Sequence, residues 1–326
     1  MVSFGRRESS QAAAVTRKKA YGEPVTYVPL DGKPIRLTLG LRALNPAQWI
    51  EVDEFRADEM RQKSALLAER HKDVVGHLPD GEAGSRELWN HLTNHVVHVF
   101  PTLYRDVERV AGRIVALTDV HTDERVDVRT LHPIDACGRI AQEDFAVMRR
   151  IDDAWILVAA SLCFPSRWKL SEKLGKNLSG IHGPVPRYEE EIAAPVHAMF
   201  DKITVDRPMW RLNWTVIDSP DLHQPESRRR WASADELAAS LADTDLGDLL
   251  HFRVERQTLT KLPETGDIVF TIRTYVRALG ELSDPSTARN LAIALRSAEA
   301  DLVEYKGWEP VMGHALAWLD AHSAGD

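Results

Sequence analysis

The chain has 326 residues, with 41 Lys and Arg against 49 Asp and Glu, a formal charge of −8. Apolar residues make up 44% and charged residues 28%, an ordinary globular balance that excludes disordered, collagen-like and coiled-coil readings for most of the chain. The acidic balance removes any general attraction to nucleic acid, and the longest apolar run, Trp155 to Phe164, is half of the roughly 20 residues that cross a bilayer.

The first stretch is basic, and no apolar segment follows Arg6-Arg7. A disordered basic tail is therefore expected over 1–34, ahead of a single domain over 35–326; a transit peptide is the alternative, because the segment is rich in Ser and Ala. Asn45-Pro46 opens a long helical pattern, with Asn45 as cap and Pro46 at the first helical position, running to the turn at Leu78-Pro79-Asp80-Gly81. A second helix is predicted from Ser85 to Val99, closed by Pro101. The period then changes, and Arg113–Thr118 and Arg125–Val128 read as strands.

Phe145–Arg150 and Trp155–Phe164 flank a turn at Asp152-Asp153. A short helix over Leu170–Leu174, a rigid Pro-rich loop over Ile181–Pro186 and an amphipathic helix over Tyr188–Phe200 follow. Met209–Ile217 is a strand, Ser219–Arg230 a polar linker, and Ser233 with Glu236 a capping box. Leu250–Leu262 and Ile268–Val276 form the clearest hairpin, and helices over Pro285–Leu302 and Glu309–His322 end the chain. Long hairpins argue against a doubly wound parallel sheet; the fold class is α+β, with five or six antiparallel strands between helices.

Charge pairing suggests a hairpin register with Lys261 facing Asp267, Glu255 facing Arg273 and Arg253 facing Tyr275. That register gives one apolar face and one face bearing Arg253, Glu255, Gln257, Thr271, Arg273 and Tyr275. The alternative, one residue shifted, sets Arg256 against Arg273.

Metal, hydrolase and nucleotide templates are absent: there is no Cys-x-x-Cys, His-Glu-x-x-His, Gly-x-Ser-x-Gly or Walker loop. Cys137 and Cys163 are too few for a disulfide framework, which points to a reducing cytoplasm. His91, His95 and His98 share one helix face, but no acid or cysteine shares that stripe; they read as surface or packing residues. His182 stands out in Ile181-His182-Gly183-Pro184-Val185-Pro186, where a stiff loop could present one imidazole to a haem or metal; the plain alternative is a loop histidine bonded to a carbonyl. Phe164-Pro165-Ser166-Arg167-Trp168 and Trp210-Arg211-Leu212-Asn213-Trp214 join flat rings to guanidinium groups. That chemistry suits a large planar anionic ligand such as haem, although both residue types are also common in strand packing.

Taken in order with Glu172-Lys173-Leu174-Gly175, Arg253-Val254-Glu255-Arg256-Gln257-Thr258-Leu259, Phe270-Thr271-Ile272-Arg273-Thr274-Tyr275-Val276 and Tyr305-Lys306-Gly307, these motifs resemble the haem-dependent oxidative N-demethylase family, in its catalytic alpha subunit. The resemblance covers roughly 35–310. It implies a PAS-like antiparallel sheet that binds haem b through His182 as iron ligand, with Arg167, Trp168, Arg211, Trp214 and Arg273 around the macrocycle. The implied activity is monooxygenase-type: a small N-methylated amine, such as dimethylamine, becomes the demethylated amine plus formaldehyde. Glu255 is the acid/base candidate, with Arg256 and Tyr275 behind it. Electrons would come from NADPH through partner subunits carrying flavin and an iron–sulfur centre, since two cysteines cannot ligate such a cluster, and a tetrahydrofolate-binding partner could take the formaldehyde. A PAS-like haem or small-molecule sensor without turnover is the alternative, and a haem-free scaffold a third.

Overall fold

The structure is a computed structural model that describes residues 27–226, 229–282 and 284–324. The predicted basic tail lies outside the described residues as far as residue 26. Residues 27–34, which the sequence reading assigns to that tail, pack on the body: the Tyr27 hydroxyl donates to Glu51 at 2.6 Å, and Asn290 donates to the Leu30 carbonyl at 3.4 Å.

The strands are β1 (Arg42–Ala43), β2 (Val75–His77), β3 (Tyr104–Val110), β4 (Arg113–Asp119), β5 (Arg125–Asp127), β6 (Asp144–Ile151), β7 (Ala154–Ser161), β8 (Met209–Ile217), β9 (His251–Lys261) and β10 (Ile268–Ala278). Among the described residues they form a seven-stranded sheet, ordered β1-β8-β9-β10-β6-β7-β2, and a three-stranded sheet, β3-β4-β5. Every pairing is antiparallel. The helices are α1 (Arg56–Glu69), α2 (His71–Val74), α3 (Glu82–Val99), α4 (Pro133–Gly138), α5 (Leu178–His182), α6 (Ala193–Lys202), α7 (Ala234–Ser240), α8 (Leu246–Leu249), α9 (Pro285–Arg296), α10 (Ala300–Lys306) and α11 (Met312–Ser323). The class is α+β, as expected. Among the described residues no helix is long and apolar enough to cross a membrane.

Three expectations are corrected. The long helix from Asn45 does not form: Asn45 caps only a 3-10 turn over Pro46–Gln48, Trp49 and Ile50 enter the core as irregular chain, and α1 starts at Arg56. The helix expected over Pro285–Leu302 is two helices, α9 and α10, broken at residues 297–299. The β9–β10 register is the alternative one: Lys261 faces Ile268, Thr274 faces Glu255, and Arg273 faces Arg256.

The reason lies in partners outside the hairpin. Asp267 pairs with Arg149 on β6, at 2.7 Å, and not with Lys261. Arg273 reaches Asp53 at 2.6 Å and Glu59 at 2.8 Å, while Arg256 reaches Glu51 at 3.1 Å and donates to the carbonyls of Gln48 and Trp49. Each guanidinium thus has its own acceptors, which removes the like-charge penalty that favoured the other register.

This register sorts the side chains between two packed faces. Arg256, Thr258, Thr271, Arg273 and Tyr275 point toward the layer holding α3 and the Trp49–Leu67 stretch. Glu255, Gln257, Leu259, Phe270 and Ile272 point the other way, toward α5 and α6. A third core gathers α8, α9 and α11 around Phe252, Val254, Leu291 and Trp308.

Candidate active site

The α5–α6 face of the large sheet is not filled. A cavity of about 1660 Å³ lies over it, well above the roughly 300–1,000 Å³ of most small-ligand pockets. Its floor is Ala146, Met148, Leu157, Arg211, Glu255, Gln257, Leu259, Phe270 and Ile272; its far wall includes His182, Tyr188, Val196 and Phe200. An extended strap crosses the cavity. Ile35, Leu37, Leu39 and Leu41 are half-buried on it, while Arg36, Thr38, Gly40 and Arg42 are exposed. At one end the Ile35 N–H donates to Ser297 Oγ at 2.8 Å, and at the other Arg42 pairs with Trp210.

His182 does not sit in an irregular loop. It is the last residue of the one-turn helix α5, capped by Asn177, and the prolines begin only after Gly183. The helix sets its ring: Nδ1 lies 2.9 Å from the Leu178 carbonyl, one turn back. A carbonyl can only accept, so Nδ1 carries the proton and Nε2 presents a lone pair. Burial pushes the imidazole down to about 4, which keeps that lone pair free at neutral pH. The ring stacks on Tyr188, with centroids 4.7 Å apart and planes at 11°.

The opposite side of the cavity is ionic. Glu255 accepts from Gln257 at 3.0 Å and Asn213 at 3.3 Å, with Arg253 Nε 3.7 Å away. Arg253 itself is buried and donates to the carbonyls of Phe164 and Leu222. Arg211 lines the cavity with no hydrogen bond or ion pair among the described residues, and burial lowers its pKa. Lys306 donates to the Trp214 carbonyl at 3.3 Å, and Lys173 lies 4.3 Å above the Trp168 ring. Burial brings both lysines down to about 8. Around Glu255, the guanidiniums of Arg253 and Arg211 and the ammonium groups of Lys173 and Lys306 outnumber the one carboxylate, an excess that desolvation makes costly unless an anion joins them.

The other residues singled out in the sequence are distributed differently. Arg167 and Trp168 line the cavity, but Arg167 pairs with Asp218 at 2.8 Å and donates to the Lys306 carbonyl. Trp214 also lines the cavity, and its ring packs on Phe252 and Trp308, with centroids 5.4 and 5.9 Å away. Arg256, Arg273 and Tyr275 lie on the opposite face of the sheet, where Tyr275 donates to Glu51. His91 and His98 are exposed and His95 packs edge-on to Trp49; among the described residues no group of three or more His, Cys, Asp or Glu could hold a metal by itself. In the sequence, Lys173 and Lys306 stand only inside the longer motifs Glu172–Gly175 and Tyr305–Gly307. Their sequence neighbours carry no sign that the fold would bury them beside a cavity.

The donor set fits a planar ligand that carries its own metal and acids: one neutral imidazole, a broad apolar wall and, in Arg211, Lys173 and Lys306, cations with no carboxylate at ion-pair distance among the described residues. These features describe an α+β protein whose cavity suits a large, anionic, aromatic ligand. Comparison with known families makes the assignment specific, since residues 40–316 match the family described as haem-dependent oxidative N-demethylase, alpha subunit-like. The match spans most of the chain, and the chain belongs to that family. The family description names haem dependence, an oxidative reaction and likeness to an alpha subunit, a term that implies other subunits.

Proposed function

We propose that this chain is a haem b-binding, PAS-like subunit that demethylates a small N-methylated amine in the cytoplasm. The observation that carries the reading is the cavity-facing His182, with its proton held on Nδ1 by Leu178 and Nε2 left as a ligand atom. His182 would hold the iron, Arg211, Lys173 and Lys306 the two propionates, and Trp168 and Phe270 would pack on the macrocycle.

Bound haem supplies the oxidation, in which the N-methyl group, O2, two electrons and two protons give the N–H amine, formaldehyde and water. The chain's residues bind and orient the amine. Glu255, steadied by Gln257 and Asn213, anchors the ammonium group and takes up its proton. The apolar wall of Leu259, Ile272 and Phe200 limits water at the methyl carbon. A reductase partner carrying flavin and an iron–sulfur centre delivers electrons from NADPH.

An absorbance titration of the purified chain with ferric haem b tests this. A Soret band that moves on binding in the wild type, and is shifted or lost in His182→Ala, is the expected result. A His182→Ala spectrum identical to wild type rejects the ligand assignment. Steady NADPH-driven formaldehyde release by the chain alone rejects the electron path.

A further inference from the structure

Tyr188 stands beside His182 and has so far had no part. It is 2% exposed, it lines the cavity, and its hydroxyl is buried with no hydrogen-bond partner among the described residues. Several devices hold it there. Tyr188–Ile192 is a π-helical turn that enters α6, a form concentrated at functional sites. Arg187, just before it, is left-handed at φ 55°, a conformation that costs free energy in a residue with a Cβ. Arg187 is held by ion pairs to Glu299 at 2.7 Å, Asp301 at 3.1 Å and Glu191 at 3.3 Å, which tie the turn to the start of α10.

A buried hydroxyl without an acceptor costs about 1–3 kcal/mol, and a strained turn adds to that cost. Packing alone would be served as well by phenylalanine. We infer that Tyr188 is a positioning residue for the cavity: its ring sets the plane of the His182 imidazole, and its hydroxyl donates to an acceptor atom of the bound ligand. The inference rests on the haem reading of the cavity and adds a residue that reading does not need.

Tyr188→Phe in the full chain separates the two. In the haem-free protein, losing an unsatisfied hydroxyl raises the melting temperature by about 2–6 °C, whereas losing a structural hydroxyl would lower it. In a titration with ferric haem b the same variant binds about 5–10-fold more weakly, the size of one lost hydrogen bond. Tyr188→Leu, or Tyr188→Met if the first does not fold, removes the flat face. It changes the electron paramagnetic resonance g-values of the ferric haem protein, which report the orientation of the axial imidazole; Tyr188→Phe leaves them as in wild type. A lower melting temperature or unchanged haem affinity in Tyr188→Phe, or unchanged g-values when the ring is gone, overturns the inference. His182→Ala is measured alongside. If it keeps the wild-type spectrum while Tyr188→Phe weakens binding, the His182 assignment has failed and takes the ring's orienting role with it, while the hydroxyl's role stands; if wild type takes up no haem, both readings have failed.

Discussion

Arg256 and Arg273 stand directly opposite each other on β9 and β10, and both are almost completely buried. The pairing survives because Asp53, Glu59 and Glu51 approach from the segment leading into and through α1, one carboxylate set for each guanidinium. Removing one partner of a buried pair leaves a desolvated charge, so Asp53→Ala lowers stability by about 3 kcal/mol. Urea unfolding measures this. The cavity lies on the other face of the sheet, so the folded fraction should bind ferric haem b as tightly as wild type.

Arg211 has no acceptor among the described residues, so neutralising it costs the fold little and the ligand much. Arg211→Gln should weaken haem b binding about 10-fold, the scale of a lost charged hydrogen bond. Binding of the haem dimethyl ester, whose acids are blocked, should not change. Equal losses for both ligands would show that Arg211 acts on the cavity wall and not on carboxylates.

Glu143 is fully buried, with one oxygen accepting from the Glu51 N–H at 2.8 Å and the other without a partner. Burial pushes its carboxyl up to about 7, against 4.5 as an ordinary glutamate; Arg273 and the hydrogen bond from the Glu51 N–H oppose the rise, and the Glu51 carboxylate adds to it. A raised carboxyl stabilises the fold fully below pH 4.5, and that contribution is lost as pH rises through about 7. Wild type minus Glu143→Gln in urea unfolding should therefore fall by on the order of 3 kcal/mol between pH 4.5 and pH 8. A flat difference would remove Glu143 as the titrating group.

Gly307 ends α10 in the left-handed region at φ 68°, and a Cβ there would come within 2.6 Å of Arg167 Nη1. Gly307→Ala strains the backbone and displaces Arg167 from the Lys306 carbonyl. The expected loss is about 1–2 kcal/mol in thermal or urea unfolding.

Local signals read well from the sequence. The strand over Met209–Ile217 has the predicted ends, and Ser233 caps α7 by accepting from the Glu236 N–H. The Asp152-Asp153 turn joins β6 to β7, with Asp152 left-handed. What failed depended on distant chain. Opposite charges were matched within the β9–β10 hairpin alone, whereas the acid that settles Arg273 is 220 residues away. Of the site, His182, Arg167, Trp168, Arg211, Trp214 and Glu255 line one cavity, while Arg256, Arg273 and Tyr275 lie on the opposite face with the one-residue shift. Lys173, Lys306 and Tyr188 could not be singled out, because their roles come from burial and from a missing partner.

The strap over the cavity has a kinetic consequence. Between its anchors at Ile35 and Arg42 it makes no backbone hydrogen bond among the described residues, so one end can detach while the sheet beneath stays intact. Such local openings need far less free energy than global unfolding. A ligand too wide to slip past Leu37 and Leu39 must wait for that opening both to enter and to leave. Its residence time is then set by a handful of leucine contacts and a single serine hydroxyl at residue 297, and loosening Ser297 would speed capture and escape together while leaving the equilibrium between them nearly unmoved.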